Sequence, residues 1–244
     1  MLRVDEIAPG IYRLSAPPAH GAAIGFNQFL IEDERPALIH TGVHPMFEEV
    51  RAAIAQVLDP ARLRHIVIGH FEADECGGMG RFAAVARESD LVCSEVGARV
   101  NLAGWDFQGP VRGVRDGHVL DLGRHRLRFL ETPHVHHWDS LMVFEETTAS
   151  LFPADLFIQP GDQPPIVRED LSREMCHFYR ESGIFAAEAP VRRVVDRVRR
   201  LGPRWLHPMH GGSLPAEVAE AYYDTLQTEE FAFDGRVQGR LLPP

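Results

Sequence analysis

The sequence predicts an α+β fold: a four-layer αββα sandwich, with two sheets packed face to face and helices outside them. Three observations predict it. Short apolar runs, too short for helices, recur between residues 10 and 152 and are split by Gly, Pro and polar turns. Amphipathic helical patterns fall in two groups, one among the early strands and one after the last of the main runs. The order of strands, helix, strand and helix, followed by strands and helices again, divides the chain into two similar halves, each able to supply a sheet and its cover. No exact repeat and no linker separates the halves. One domain over residues 1–244 is therefore expected, and 244 residues can bury a substantial core.

In order, Gly10-Ile11-Tyr12-Arg13-Leu14, Asn27-Gln28-Phe29-Leu30-Ile31 and Ala37-Leu38-Ile39-His40 read as a β-meander. It is broken by Pro17-Pro18 and by the polar turn from Glu32 to Pro36. Phe47, Val50, Ile54, Val57 and Leu58 share one face of a helix that stops before Pro60. His65-Ile66-Val67-Ile68 is a buried strand, residues 78–89 a helix, and Leu91-Val92-Cys93 another strand. Residues 94–118 carry no decisive pattern. Strands are expected again at 118–122, 126–130, 141–145 and 150–152, then helices around 170–186, 190–201 and 215–231, with Trp205-Leu206 as a short strand.

Composition narrows the function. A formal net charge of −10 and the lack of a Lys/Arg-dense tract argue against nucleic acid or an anionic membrane as partner. The one arginine cluster, at 192–200, alternates with Val191, Val194, Val195, Val198 and Leu201, so it is read as the wet face of an amphipathic helix. The N-terminus lacks an apolar signal core, and no apolar run approaches membrane-spanning length. Three widely spaced cysteines suit reduced thiols, so a cytoplasmic location is expected.

The chemistry concentrates in Gly69-His70-Phe71-Glu72-Ala73-Asp74-Glu75-Cys76-Gly77-Gly78, at a strand-to-loop junction. Extended alternation would aim His70, Glu72 and Asp74 in one direction. An imidazole and several carboxylates in one cavity repel each other unless a cation sits among them. Three further candidates stand where strands meet loops: His136, with His134 and His137 beside it, Asp155 and His210. Singly each has a bland explanation; together they specify a metal centre. Cys76, before two glycines, is read as loop packing. Tyr179 and His177 are read as packed groups that could also reach over the pocket.

These motifs carry a resemblance to the metallo-β-lactamase fold over essentially the whole chain: the acidic His loop, a lone histidine after a Thr-Pro turn, an aspartate after a strand, and a late His-Gly. Leu38-Ile39-His40-Thr41-Gly42 is similar to the fold's opening Leu-Ile-Asp-Thr-Gly. Glu72, in place of a second histidine, resembles the di-iron branch, the flavodiiron proteins and related oxygen-binding proteins. Pro133-His134-Val135-His136-His137-Trp138-Asp139-Ser140, Leu151-Phe152-Pro153-Ala154-Asp155-Leu156-Phe157 and His210-Gly211 match that branch in turn. The resemblance implies one metal held by His70, Glu72 and His136, with His137 as the alternative to His136. It implies a second metal held by Asp74 and His210, with Asp155 bridging. Glu75 stands where a histidine ligand is usual. It is counted as a carboxylate ligand to the second metal, the alternative being that it turns away and leaves a water. His40 replaces a usual aspartate.

The implied cofactors are two iron ions, with zinc or manganese as alternatives; the oxygen-rich shell favours iron on its own chemistry. The implied function is binding of dioxygen or nitric oxide, either with its reduction or, if oxygen is only bound, as a sensor or carrier. The chain ends at Pro244 without a flavodoxin domain, so no bound flavin is expected and electrons are expected from a separate donor protein; a homodimer is left open. The alternative is a binuclear hydrolase of thioesters, esters or phosphodiesters.

Overall fold

The computed structural model describes residues 2–105, 107–237 and 240–241; Met1 and Pro244, the ends considered above, lie outside them. The first sheet runs in chain order: β1 (Arg3–Ala8), β2 (Ile11–Ala16), β3 (Phe26–Ile31), β4 (Ala37–Ile39), β5 (His65–Val67), β6 (Asp90–Ser94) and β7 (Val111–Val114). β1 to β4 are antiparallel, and β4 to β7 are parallel. Parallel neighbours need crossovers. Helix α1 (Phe47–Ile54) provides the first, the single turn α2 (Ala73–Cys76) and helix α3 (Met79–Val85) the second, and two short turns within residues 97–104 the third.

The second sheet has the order β13-β12-β11-β10-β9-β8, with β8 (Val119–Asp121), β9 (Arg126–Glu131), β10 (Leu141–Glu145), β11 (Ser150–Phe152), β12 (Trp205–Leu206) and β13 (Leu214–Pro215). Its one parallel pair, β11 with β12, is spanned by α4 (Ser172–Ser182) and α5 (Glu188–Leu201), and α6 (Ala216–Thr228) follows β13. A two-stranded ribbon, β14 (Arg236–Val237) with β15 (Arg240–Leu241), closes the chain.

Side-chain alternation along the strands sorts the apolar residues into three cores. Phe29, Ile31, Ile39, Val67 and Val92 meet Leu127, Phe129, Leu141, Val143 and Phe152 between the sheets. Leu30, Leu38, Ile66 and Leu91, on the opposite face of the first sheet, pack on Phe47, Val50, Ile54 and Phe82. Leu130, Met142, Phe144 and Leu206 pack on Met175, Tyr179, Val191, Val195 and Tyr222 of the C-terminal helices. This is the expected αββα sandwich.

Two regions depart from the sequence reading. β1 is an edge strand with Arg3, Asp5 and Glu6 on it, and its charges hide the alternation. Residues 94–118 hold a π-turn over Gly97–Asn101, a 3-10 turn over Leu102–Gly104 and the edge strand β7, whose first three residues are exposed.

Candidate metal centre

The site forms where several strands end together. His70 follows β5, His136 lies between β9 and β10, Asp155 follows β11, and His210 lies between β12 and β13. One expectation needs correcting. The acidic segment is extended only as far as Glu72 (φ −121°, ψ 155°); Ala73–Cys76 then makes a helical turn, so Asp74 arrives by winding and not by pleat alternation. Gly77 permits that turn, since a Cβ there would sit 2.4 Å from the Ala73 carbonyl oxygen and 2.7 Å from the His44 nitrogen. The Cys76 thiol donates to the Glu72 carbonyl at 2.9 Å, as loop packing.

Six of the seven candidate side chains converge. Glu72 Oε2 lies 3.1 Å from both His70 Nε2 and His136 Nε2. Asp155 Oδ2 lies 3.0 Å from His136 Nε2 and 3.5 Å from His70 Nε2. The other oxygen of Asp155, Oδ1, lies 3.2 Å from His210 Nε2, which is 3.5 Å from Asp74 Oδ2. Asp155 thus faces both groups, one oxygen to each. His137 stands at the mouth, with Nε2 3.7 Å from Glu72; His136 is the closer neighbour of both carboxylates. His70, Glu72, His136 and His137 each offer a ligand atom with all four within 4.8 Å of one another, and His70, Glu75 and Asp155 form a second such group. Glu75, however, meets His70 at its other edge: its Oε2 is 3.2 Å from Nδ1 and accepts the backbone N–H of His70 at 2.7 Å.

The electrostatics are those of a crowded anionic pocket. Burial and the negative charge of Asp155 raise the Asp74 carboxyl. Burial, Asp155 and Asp74 raise Glu75 well above the usual range. Burial works against ionisation of Asp155 too, but hydrogen bonds from His136 and His210 outweigh it and hold that carboxyl well below its ordinary value. Glu72 is depressed by hydrogen bonds from His136 and His70. Burial opposes charge on His136, yet Asp155 and Glu72 lift it to about 9. Glu75 Oε1, buried at the back of the same pocket, has no hydrogen-bond partner. A donor set of this kind, acidic, enclosed and incompletely satisfied, fits divalent cations.

The backbone around the site is held in uncommon geometry: His40, Ala154 and Phe157 adopt φ of 62°, 51° and 70°, a conformation that costs a non-glycine residue about 1–3 kcal/mol. The sequence left the roles of several supports unassigned. Asn27 Nδ2 donates to the carbonyls of Pro208 and Gly211, and Arg13 Nη2 also donates to Gly211 O, so β2 and β3 clamp the His210 loop. Asp139 Oδ2 accepts the Phe71 N–H at 3.2 Å, tying the two histidine loops together. The Tyr179 hydroxyl is buried; it accepts the Ile158 N–H and donates to Asp155 O, so it braces the Asp155 loop and does not cover the pocket. Only partners distant in sequence define these roles.

A family model described as ODP family beta lactamase matches residues 24–211. The chain belongs to the ODP beta-lactamase family. Its relatives include the rubredoxin-oxygen oxidoreductase of Megalodesulfovibrio gigas, 27% identical over 197 residues, covering 76% of this chain and 48% of that protein. They also include the nitric oxide reductase of Moorella thermoacetica, 29% identical over 167 residues, covering 63% and 41%. Among solved structures, rubredoxin oxygen:oxidoreductase from Desulfovibrio gigas superposes with a TM-score of 0.83 at 21% identity, over 93% of this chain and 62% of that one. A fragment of the diflavin flavoprotein A 5 from Nostoc sp. gives 0.80 at 19% identity, over 93% and 95%. The ODP domain here thus has the metallo-β-lactamase-like fold of flavodiiron cores, and the chain spans about half the length of the curated relatives it matches. Among the described residues, no helix is long and apolar enough to cross a membrane.

Proposed function

We propose that this chain carries the di-iron centre of an oxidoreductase acting on dioxygen or nitric oxide, with electrons supplied by a separate donor protein. One observation carries the reading: Asp155 directs one oxygen to the His70, Glu72 and His136 group and the other to the Asp74 and His210 group. A carboxylate shared in this way is what a metal pair requires. His70, Glu72 and His136 would hold one ion, Asp74 and His210 the second, and Asp155 both. Two ferrous ions there would supply the electrons that a diatomic oxidant takes up. Iron is favoured over zinc because carboxylate oxygens make up half of the six ligating side chains, and hard, anionic donors suit the ferric state.

The remaining residues shape access. Phe71, Asn101, Trp105, His137 and Trp138 line an open depression of about 450 Å³ beside the centre, and Trp138 is 50% exposed there. Small oxidants and an electron donor's surface would approach through it. His210 Nδ1 donates to Gly25 O at 2.7 Å, which fixes the tautomer that presents Nε2 to the centre.

The test is oxygen and nitric oxide uptake by Fe(II)-loaded protein given a chemical reductant. Uptake that is lost in His136→Ala is expected; uptake no faster than free Fe(II) contradicts the proposal.

A further inference from the structure

Glu75 and His40 were the two positions at which the sequence departs from the resemblance, one in the acidic loop and one after the third strand. In the fold they face each other. Both are buried, with Glu75 Oε1 3.3 Å from His40 Nε2. The other oxygen of Glu75 takes the His70 backbone N–H and lies against His70 Nδ1, the edge opposite the Nε2 that faces Glu72 and Asp155. His40 Nδ1 in turn lies 3.1 Å from Met209 Sδ, next to His210 in the chain. Bare backbone makes room for the pair: a Cβ on Gly69 would sit 3.0 Å from His40 Nε2 and 3.2 Å from Glu75 Oε2.

We propose that Glu75 is a positioning residue for His70, backed by His40 and not itself a ligand, so that the two metal positions are unequal. The first has four donor side chains, His70, Glu72, His136 and Asp155; the second has three, Asp74, His210 and Asp155. This rests on the metal-pair reading above. A carboxylate behind a ligating imidazole orients the ring, fixes its tautomer and raises its basicity, and losing such a partner weakens metal binding about 10–100-fold. His210 has only a neutral carbonyl, Gly25 O, in the same place. The first position is therefore favoured twice, by donor number and by the carboxyl group placed behind its histidine.

The experiment is an anaerobic Fe(II) titration of the metal-free full chain, read by equilibrium dialysis. Two steps are expected, the tight one removed by His136→Ala and the weaker one by Asp74→Ala. Glu75→Gln should weaken the tight step about 10–100-fold and leave the weaker one in place. A loss confined to the weaker step would make Glu75 a ligand of the second ion and overturn the proposal. His40→Gln leaves Glu75 itself untouched and tests the same contact should Glu75→Gln fail to fold; it too should act on the tight step, and an effect on the weaker step alone overturns the inference. Wild-type protein that takes up no Fe(II) at all overturns the metal pair itself, an outcome distinct from a misassigned step.

Discussion

At the scale of single residues, Asp155 has the most consequences. Its two oxygens serve two groups of side chains, so Asp155→Ala should abolish binding of both ions, whereas Asp74→Ala should leave one. Metal analysis of the purified variants checks this, and an Asp155→Ala protein that still holds two ions would refute the bridging role. The ligand types were legible in the sequence because His70, Glu72, Asp74, His136, Asp155 and His210 sit at recognisable strand ends. The role of Glu75 was not. Its side chain turns back on the ring of a residue five positions earlier and meets His40, thirty-five positions away. A local motif carries no record of such a contact.

At the scale of elements, the loops that present ligands are set by packing and buried polar contacts. Asn27→Ala would leave the carbonyls of Pro208 and Gly211 without that donor. We expect a loss of about 1–3 kcal/mol in urea unfolding and a weaker second metal step, since the His210 loop loosens. The turn joining β10 and β11 gives a prediction in pH. Burial would raise the Glu145 carboxyl, but His125, the Thr148 hydroxyl and the Thr147 and Thr148 N–H groups outweigh it and hold it at about 2. The folded-state value lies below the unfolded one, so the stabilisation is complete above the ordinary carboxylate range and is lost as pH falls toward 2. Glu145→Ala should therefore be less stable by about 2–3 kcal/mol at pH 7, with the gap from wild type closing at acid pH. A pH-independent gap would contradict this. Most elements were readable from apolar periodicity. α2 was not, because four residues with three polar or reactive side chains show no period, and β1 was not, because an edge strand need not alternate cleanly.

At the scale of the whole molecule, two sheets and their helices bring four chain segments, from His70 to His210, to one edge of the sandwich. The inter-sheet core holds that edge together. Phe29→Ala, at a ring packed 5.0 Å from Phe152 across the sheets, should cost about 3–5 kcal/mol and reduce metal retention together with stability. The same architecture gathers Glu72, Asp74, Glu75 and Asp155 around one pocket, with Glu75 and Asp155 buried, which is a liability without cations. Two-sheet packing could be inferred from the order of elements, whereas the meeting of β2 and β3 with the His210 loop could not, because it depends on how far each strand extends past its neighbour. The most direct test of the central claim is the metal content of protein purified without added metal, followed by anaerobic Fe(II) loading and exposure to oxygen. Two irons per chain are expected, with an absorbance change on oxygen exposure that Glu72→His diminishes. Two zincs per chain with no response to oxygen would contradict that claim and point to hydrolysis of thioesters or phosphodiesters instead.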